Sequence, residues 1–394
     1  MRALAKLLRA WLEPFDLQNY LIQQICCPKI QLETFLIIEM KRLPEDAHFD
    51  AFPASLLFDW YDEYARILPW RTFSPALSPA YHVFLSELML QQTGVTTVIP
   101  YFQYFTRTWP DIFALAAADE DAVLAAWAGL GYYARARNMI KAARLIVSEY
   151  QGQFPQTPQA LEKLPGIGPY TAGAIAAIAF DQPAIVIDGN IERILVRYGG
   201  IKKEVREIKP RLKAIYAHIR PDRRRSDFPQ ALMDIGAAIC LPRRPNCTQC
   251  PLRYGCRAAA MDDPASLPLR PNKKPRPIRA GTLYVLRNKD GAFLLGKRPE
   301  KGLLGGMLAF PSYGWDGSDC PDWMAALHLA ISSQKLKTEI RHVFTHFTAE
   351  MTIYYASIEK DIPVPEGYRW QACSQEALPS LMAKCYQACL PRFT

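Results

Sequence analysis

Apolar positions recur at helical spacing through most of the stretch from Phe52 to Asp263. Alanine-rich runs at Ile112–Ala128, Asn138–Glu149, Tyr170–Phe180 and Ile208–His218 carry the period of helices with a buried face, and proline and glycine punctuate the gaps. The pattern changes after Asp263. Residues 264–279 are rich in proline and arginine or lysine and hold no acid, which predicts an extended basic linker. Beyond it, Gly281–Arg287 and Ala292–Arg298 read as strands flanking Asp290–Gly291, a hairpin signal, and Met351–Ile358 reads as a further strand. The chain is therefore expected to be multi-domain, with an all-α domain over 51–263 and a mixed α+β domain over 280–394. Residues 1–50 match neither pattern. Within them, Leu4, Leu7, Leu8 and Trp11 lie opposite Arg2, Lys6 and Arg9, a short basic amphipathic helix. That segment reads as a surface helix or an over-extended start ahead of Met40, with an organelle-targeting segment as the alternative.

Composition narrows the class. With 394 residues, half of them hydrophobic and 22% charged, the chain is globular and long enough for two domains. A formal net charge of +9 favours a polyanionic partner. No apolar run approaches the roughly 18 residues that span a bilayer, so no membrane partner is expected. The ten cysteines are unevenly placed: Cys240, Cys247, Cys250 and Cys256 cluster, and the rest are scattered. A secreted disulfide scaffold is shorter and more regular, so a reducing compartment and a metal held by the cluster fit better. Four close thiolates suit either an iron–sulfur cluster or structural zinc.

Three short segments carry candidate chemistry. Leu164–Thr171 (LPGIGPYT) joins two helical stretches. Gly166 and Gly168 permit positive φ and close approach, and Pro169 suits the first turn of the next helix, so the free N–H groups there make a nest for a phosphate. An ordinary helix–helix turn has the same composition. Glu87 sits in a helix that is apolar on nearly every side, where lost hydration favours the protonated form that a general acid needs. A buried glutamate paired with an arginine is the plain alternative. Asp188, before Gly189-Asn190, has the look of a helix N-cap.

Five motifs in order change the weighting: SELMLQQT (86–93), WAGLGYYARARN (127–138), LPGIGPYT (164–171), IDGNIERI (187–194) and the cysteine cluster. Over about residues 57 to 390 the chain resembles the helix-hairpin-helix base-excision DNA glycosylases and, among them, the adenine-removing MutY family. The resemblance implies that Glu87 protonates a flipped adenine and that Asp188 stabilises the oxocarbenium-like sugar, with Tyr170 and Asn190 assisting. It assigns Gln92, Thr93, Leu130 and Tyr132 to the space between the strands, and Gly166, Gly168 and Thr171 to DNA contact. Protonation turns adenine into a neutral leaving group, and an ionised aspartate offsets charge that exists mainly in the transition state.

For the cysteines the same resemblance implies a 4Fe–4S cluster, and base removal itself needs no metal. Leu303–Pro311 resembles part of a Nudix-like domain. The stretch Ser312–Pro321 offers only aspartates and no paired glutamates, so metal-dependent hydrolysis is not expected. Phe344, Thr345 and His346 match the family's loop for 8-oxoguanine, with threonine where serine is usual; the hydroxyl is kept. The implied partner is duplex DNA with adenine opposite 8-oxoguanine or guanine, bound by a monomer in a bacterial cytoplasm, associated with the nucleoid. Two alternatives stay open. A pyrimidine-damage glycosylase/lyase is disfavoured because Tyr170 stands where the sibling enzymes carry a nucleophilic lysine. A catalytically silent DNA-binding protein is disfavoured by the presence of both carboxylates.

Overall fold

The protein is described by a computed structural model covering residues 44–269, 275–299, 302–359, 362–375 and 378–393. The expected amphipathic segment Met1–Leu12 and the linker residues 270–274 lie outside the described residues. The helices are α1 (Ala54–Tyr64), α2 (Ala80–Leu90), α3 (Val95–Thr108), α4 (Ile112–Ala117), α5 (Glu120–Ala126), α6 (Ala134–Tyr150), α7 (Pro158–Leu161), α8 (Pro169–Phe180), α9 (Gly189–Gly199), α10 (Val205–Ile219), α11 (Asp227–Ala238), α12 (Asp322–Ala330) and α13 (Ser380–Cys389). The run Ile112–Ala128 is two helices rather than one. Asp111 and Asp119 each cap a new start, accepting from the amides of Ala114 at 2.8 Å and Ala122 at 2.9 Å.

The fold divides into two compact units, and the expected helical stretch 51–263 contributes to both. One unit holds Ile185–Arg223, Phe228–Arg270 and the chain before Arg66; the other holds Arg66–Ala184, Arg224–Asp227 and the chain from Pro271 on.

In the first unit, α9 and α10 pack on each other and on a 3-10 helix at Pro44–Ala51. That short helix lies in the stretch 1–50, which the sequence pattern leaves unassigned. It is anchored by a buried ion pair: Arg211 Nη2 and Nε donate to Asp46 Oδ1 at 2.6 and 3.0 Å. Phe49 is buried against Tyr198, with ring centroids 5.4 Å apart. Neither anchor shows as a periodic run, because a 3-10 helix of this length is too short to display one. The expected linker is also shorter than 264–279. Pro264–Ser266 forms another 3-10 turn, Leu267 is buried, and Leu269 bridges Glu204, while Ile278 and Arg279 already belong to a strand.

The second unit contains α2–α8 and, in the chain's C-terminal part, an eight-stranded mixed sheet. Its strands are β1 (Ile278–Asn288), β2 (Phe293–Lys297), β3 (Leu308–Ala309), β4 (Ser312–Tyr313), β5 (Gln334–Lys335), β6 (Ile340–Val343), β7 (Thr348–Ile358) and β8 (Tyr368–Gln371). The hairpin expected around Asp290–Gly291 joins β1 to β2, with Gly291 at φ +80°. Central β1 and β7 pair in parallel from Ile278↔Thr348 to Asn288↔Ile358. Both are covered on two faces. Leu283, Val285, Met351 and Ile353 pack with Leu381, Met382 and Cys385 of α13, whereas Tyr284 and Leu286 pack with Met324 and Leu327 of α12. Burial on both faces explains why these strands read as nearly continuous apolar runs.

Asp46→Ala leaves the Arg211 guanidinium without its carboxylate in a site that is nearly closed to water. We expect a loss of about 3 kcal/mol in unfolding free energy, measured by urea denaturation; a change below about 0.5 kcal/mol would make the pair incidental.

Candidate active site and cysteine loop

Helix α2 buries Tyr81 and every residue from Val83 to Met89. Glu87 is among them, at 7% exposure, so the all-round apolar pattern did mark a buried carboxyl. The end of this helix is closed from outside the helix. Arg135, the second residue of α6, is buried and points its fork at the last carbonyls of α2. Its Nη1 donates to Leu88 O and Met89 O, both at 2.9 Å, and to Gln91 O at 2.5 Å. Its Nη2 donates to Leu130 O at 2.9 Å, to Gly131 O at 3.2 Å and to Thr93 Oγ1 at 3.2 Å. The guanidinium also lies over the rings of Trp127 and Tyr132, at 5.3 and 5.6 Å from their centroids. Burial works against its charge and Tyr132 supports it. Sequence reading quoted Arg135 within a motif and gave it no task.

The 127–133 loop that Arg135 holds is tightly wound. Gly129 and Gly131 adopt φ +100° and +69°, and Tyr132, a residue with a side chain, adopts φ +51°. Gln92 is also left-handed, at φ +62°. A left-handed tyrosine or glutamine costs on the order of 1 kcal/mol or more, so the surrounding bonds must hold each in place. Of the residues assigned to the space between DNA strands, Tyr132 is 54% exposed and Gln92 is exposed, but Leu130 is only 4% exposed. Leu130 belongs to the packing of the loop, because its carbonyl is tied to Arg135 and its side chain points inward. Of the two residues flanking Gly131, only Tyr132 presents its side chain to solvent.

In the hairpin, Leu164 and Ile167 are buried and hold the turn to the body of its unit. Gly166 needs its glycine: φ is +78°, and a Cβ there would lie 2.8 Å from Asn138 Cβ. Gly168 does not share that reason. It is the N-cap of α8 at φ −91°, and an added Cβ would meet no protein atom within 4 Å. Its bareness opens space toward the free amides at the start of α8, where Pro169 is the first helical residue. Thr171 is buried and its hydroxyl accepts from Gln91 Nε2 at 3.2 Å, which ties the end of α2 to the start of α8. In this structure its hydroxyl is an internal brace. Tyr170 beside it is half-buried.

In the other unit, Asp188 is the N-cap expected from its sequence. Its Oδ1 accepts from the amides of Asn190 and Ile191 at 3.0 and 2.8 Å, and its Oδ2 accepts from Asn190 Nδ2 at 2.8 Å. Asn190 Oδ1 in turn accepts from Arg193 Nη2 at 2.9 Å, and Arg193 Nε donates to Cys240 O at 2.7 Å. Gly236 makes room for this chain of bonds, since a Cβ there would sit 2.5 Å from Asn190 Cβ. Glu192 is an ionisable neighbour that sequence reading passed over. Burial raises its pKa, Lys209 works against that, and Asp188 adds to it.

The four clustered cysteines line one cavity with Arg197. Burial pushes the Cys250 thiol up to about 12 and raises Cys247 and Cys256 as well. Arg197 is buried, and its partners are the carbonyls of Leu241, Pro242 and Leu267 and the Cys240 sulfur, which its Nη1 reaches at 3.2 Å. A buried cation facing a sulfur suits an anionic metal–thiolate group. The four thiols and the facing guanidinium are a donor set compatible with a thiolate-bound metal group.

The three residues matched to 8-oxoguanine readout form the turn between β6 and β7, closed by Phe344 N donating to Phe347 O at 2.9 Å. Phe344 stacks between Trp315 and Phe347, with centroids 5.6 and 4.8 Å away, while Thr345 and His346 are exposed. His346 is thus not a buried strand residue. The Thr345 hydroxyl lies 3.1 Å from the Tyr132 hydroxyl.

Residues 85–217 match the HhH-GPD superfamily of base excision DNA repair proteins, and residues 282–388 match the NUDIX domain. The adenine DNA glycosylase of Homo sapiens is 34% identical over 387 residues, covering 82% of this chain and 70% of that protein. The adenine DNA glycosylase of Buchnera aphidicola (strain Bp) is 33% identical over 305 residues, covering 77% of this chain and 86% of that protein. A solved structure of a thermostable thymine-DNA glycosylase aligns with a TM-score of 0.47 at 26% identity, over 54% of this chain and 97% of that one. With the helix-hairpin-helix and Nudix-like parts in this order and relatives aligned along most of its length, the chain belongs to the adenine DNA glycosylase family.

Proposed function

We propose that the protein is a monofunctional base-excision glycosylase that hydrolyses the N-glycosidic bond of adenine mispaired with 8-oxoguanine or guanine in duplex DNA. The kinship with adenine DNA glycosylases over 387 residues carries this reading. A base inside the duplex is out of reach, so the nucleotide is extruded first, with exposed Tyr132 filling the gap and Gln92 and Thr93 beside it. Glu87, the carboxylic acid of α2, then gives its proton to adenine N7. The C1′–N9 bond breaks, its electron pair leaves with adenine, and the sugar takes positive charge. Asp188, oriented by its two backbone bonds and by Asn190, faces that charge as a carboxylate, and Tyr170 assists. Water adds to C1′, its released proton returns to the Glu87 carboxylate, and the free base departs. Burial around Glu87 and convergent N–H donors around Asp188 support dividing acid and stabiliser this way.

Cys240, Cys247, Cys250 and Cys256 would hold the 4Fe–4S cluster. When bound, it supplies cross-linking of the loop and a negative charge that Arg197 meets; the base-removal steps do not pass through it. Gly166 and Gly168 shape the backbone nest for a DNA phosphate at the start of α8. The sheet-containing part reads the opposite base through Phe344, Thr345 and His346. Among the described residues no helix is long and apolar enough to cross a membrane. We read the protein as a monomer of the bacterial cytoplasm that works on nucleoid DNA.

Glu87→Gln and Asp188→Asn are each expected to lower the single-turnover excision rate on an adenine–guanine duplex by about a hundredfold or more while duplex affinity stays within a few-fold. Release of free adenine, followed by chromatography, is the measurement; full activity in either variant would remove that residue from the chemistry. Purified protein is expected to be brown and to contain iron, and Cys250→Ala to lose both iron and thermal stability. A colourless, zinc-loaded preparation would overturn the cluster assignment. Exchange of Thr345 and His346 for alanine should erode the preference for 8-oxoguanine over guanine opposite adenine. Equal losses on both duplexes would argue against a readout role.

A further inference from the structure

The geometry around Arg135 points to a positioning residue for base extrusion, on the reading that the protein excises adenine from a duplex. One guanidinium binds three carbonyls at the end of α2, the helix of Glu87, and two carbonyls of the 127–133 loop that presents Tyr132. Arg135 also holds the Thr93 hydroxyl at 3.2 Å, and its planar face lies over Trp127 and Tyr132. The two side-chain-bearing residues in left-handed backbone here, Gln92 and Tyr132, flank the points where it grips. Strained backbone persists only where its surroundings over-determine it. Arg135 is buried, and its bonds run to backbone carbonyls and the Thr93 hydroxyl, so it acts through the segments it holds. We infer that Arg135 sets the register of the Tyr132 loop against the acid-bearing helix, so that the extruded base and the wedge that replaces it fit at the same time.

Lysine keeps the charge and loses the fork, since one ammonium cannot reach both segments with in-plane bonds. The test compares two substrates for Arg135→Lys under saturating single-turnover conditions: adenine opposite guanine in a duplex, and adenine as an unpaired single-nucleotide bulge. A residue that registers the wedge matters most when a stacked, paired base must be expelled. The duplex rate is expected to fall by about tenfold or more, and the bulge rate to stay within about threefold, because an unpaired base costs least to extrude. A general folding defect would slow both substrates alike. A second variant keeps the inference testable should Arg135→Lys fail to fold. Trp127→Phe removes the indole bond to Gly131 O, 3.0 Å long, from the other side of the loop, and should show the same duplex-selective loss at smaller size. Equal slowing on the two substrates, or an unchanged duplex rate, would overturn the inference. Wild-type protein that excises adenine from neither substrate would instead overturn the functional reading.

Discussion

Helices end in carbonyls that no intrahelical amide can reach, and a helix end buried away from water must find donors elsewhere. In this protein arginines supply them at the places that matter. Arg135 satisfies the end of α2, with bonds to Leu88, Met89 and Gln91 carbonyls. Arg193 does the same beyond α11, donating to the carbonyls of Gly236 and Cys240. Arg197 continues with Leu241 and Pro242. Each guanidinium is a cation near the negative end of a helix dipole, and each spreads several donors across a plane, which a lysine cannot do. Because the bonds run to backbone, they place segments instead of merely attracting side chains. The loop that carries Tyr132 and the loop that carries the cysteines are both held this way.

That arrangement explains the contrast between the two candidate carboxylates. Glu87 sits within a helix that is buried all round. Asp188 sits at a helix start, where two amides and the Asn190 side chain converge on it. The two carboxyl groups thus stand in different settings, one within a buried helix and one among N–H donors at a helix start.

How much of this was legible beforehand follows from how local each signal is. The helices, the β1–β2 hairpin and the central strand β7 are written in period and turn chemistry, which are short-range properties. Asp188 as an N-cap and Glu87 as a buried acid were legible for the same reason. What stayed hidden depends on distant partners. The burial of Leu130 was not legible, because it goes with a bond from Arg135 to its carbonyl. Nor was the bond between Thr171 and Gln91, which lies 80 residues away in sequence. The packed helix at Pro44–Ala51 was invisible because its hold comes from partners distant in sequence, Arg211 for Asp46, Tyr198 for Phe49 and Gly255 for His48. Arg135 itself was unreadable, since a run of alternating arginines at the start of a helix ordinarily faces solvent.

The two glycines of the hairpin show how a single motif can hide two physical demands. Gly166 is required by the protein alone: its backbone is left-handed and a methyl group would collide with Asn138. Gly168 is required by nothing in the protein, for its backbone is extended and a methyl group would find open space. A residue whose smallness serves no internal need, placed at the amide-rich start of α8, makes sense if something external must come close to that backbone. A phosphate oxygen is such a visitor, because it is small, anionic and able to accept from several N–H groups at once. The hairpin therefore separates into a half that shapes the turn and a half whose backbone at the helix start is left open.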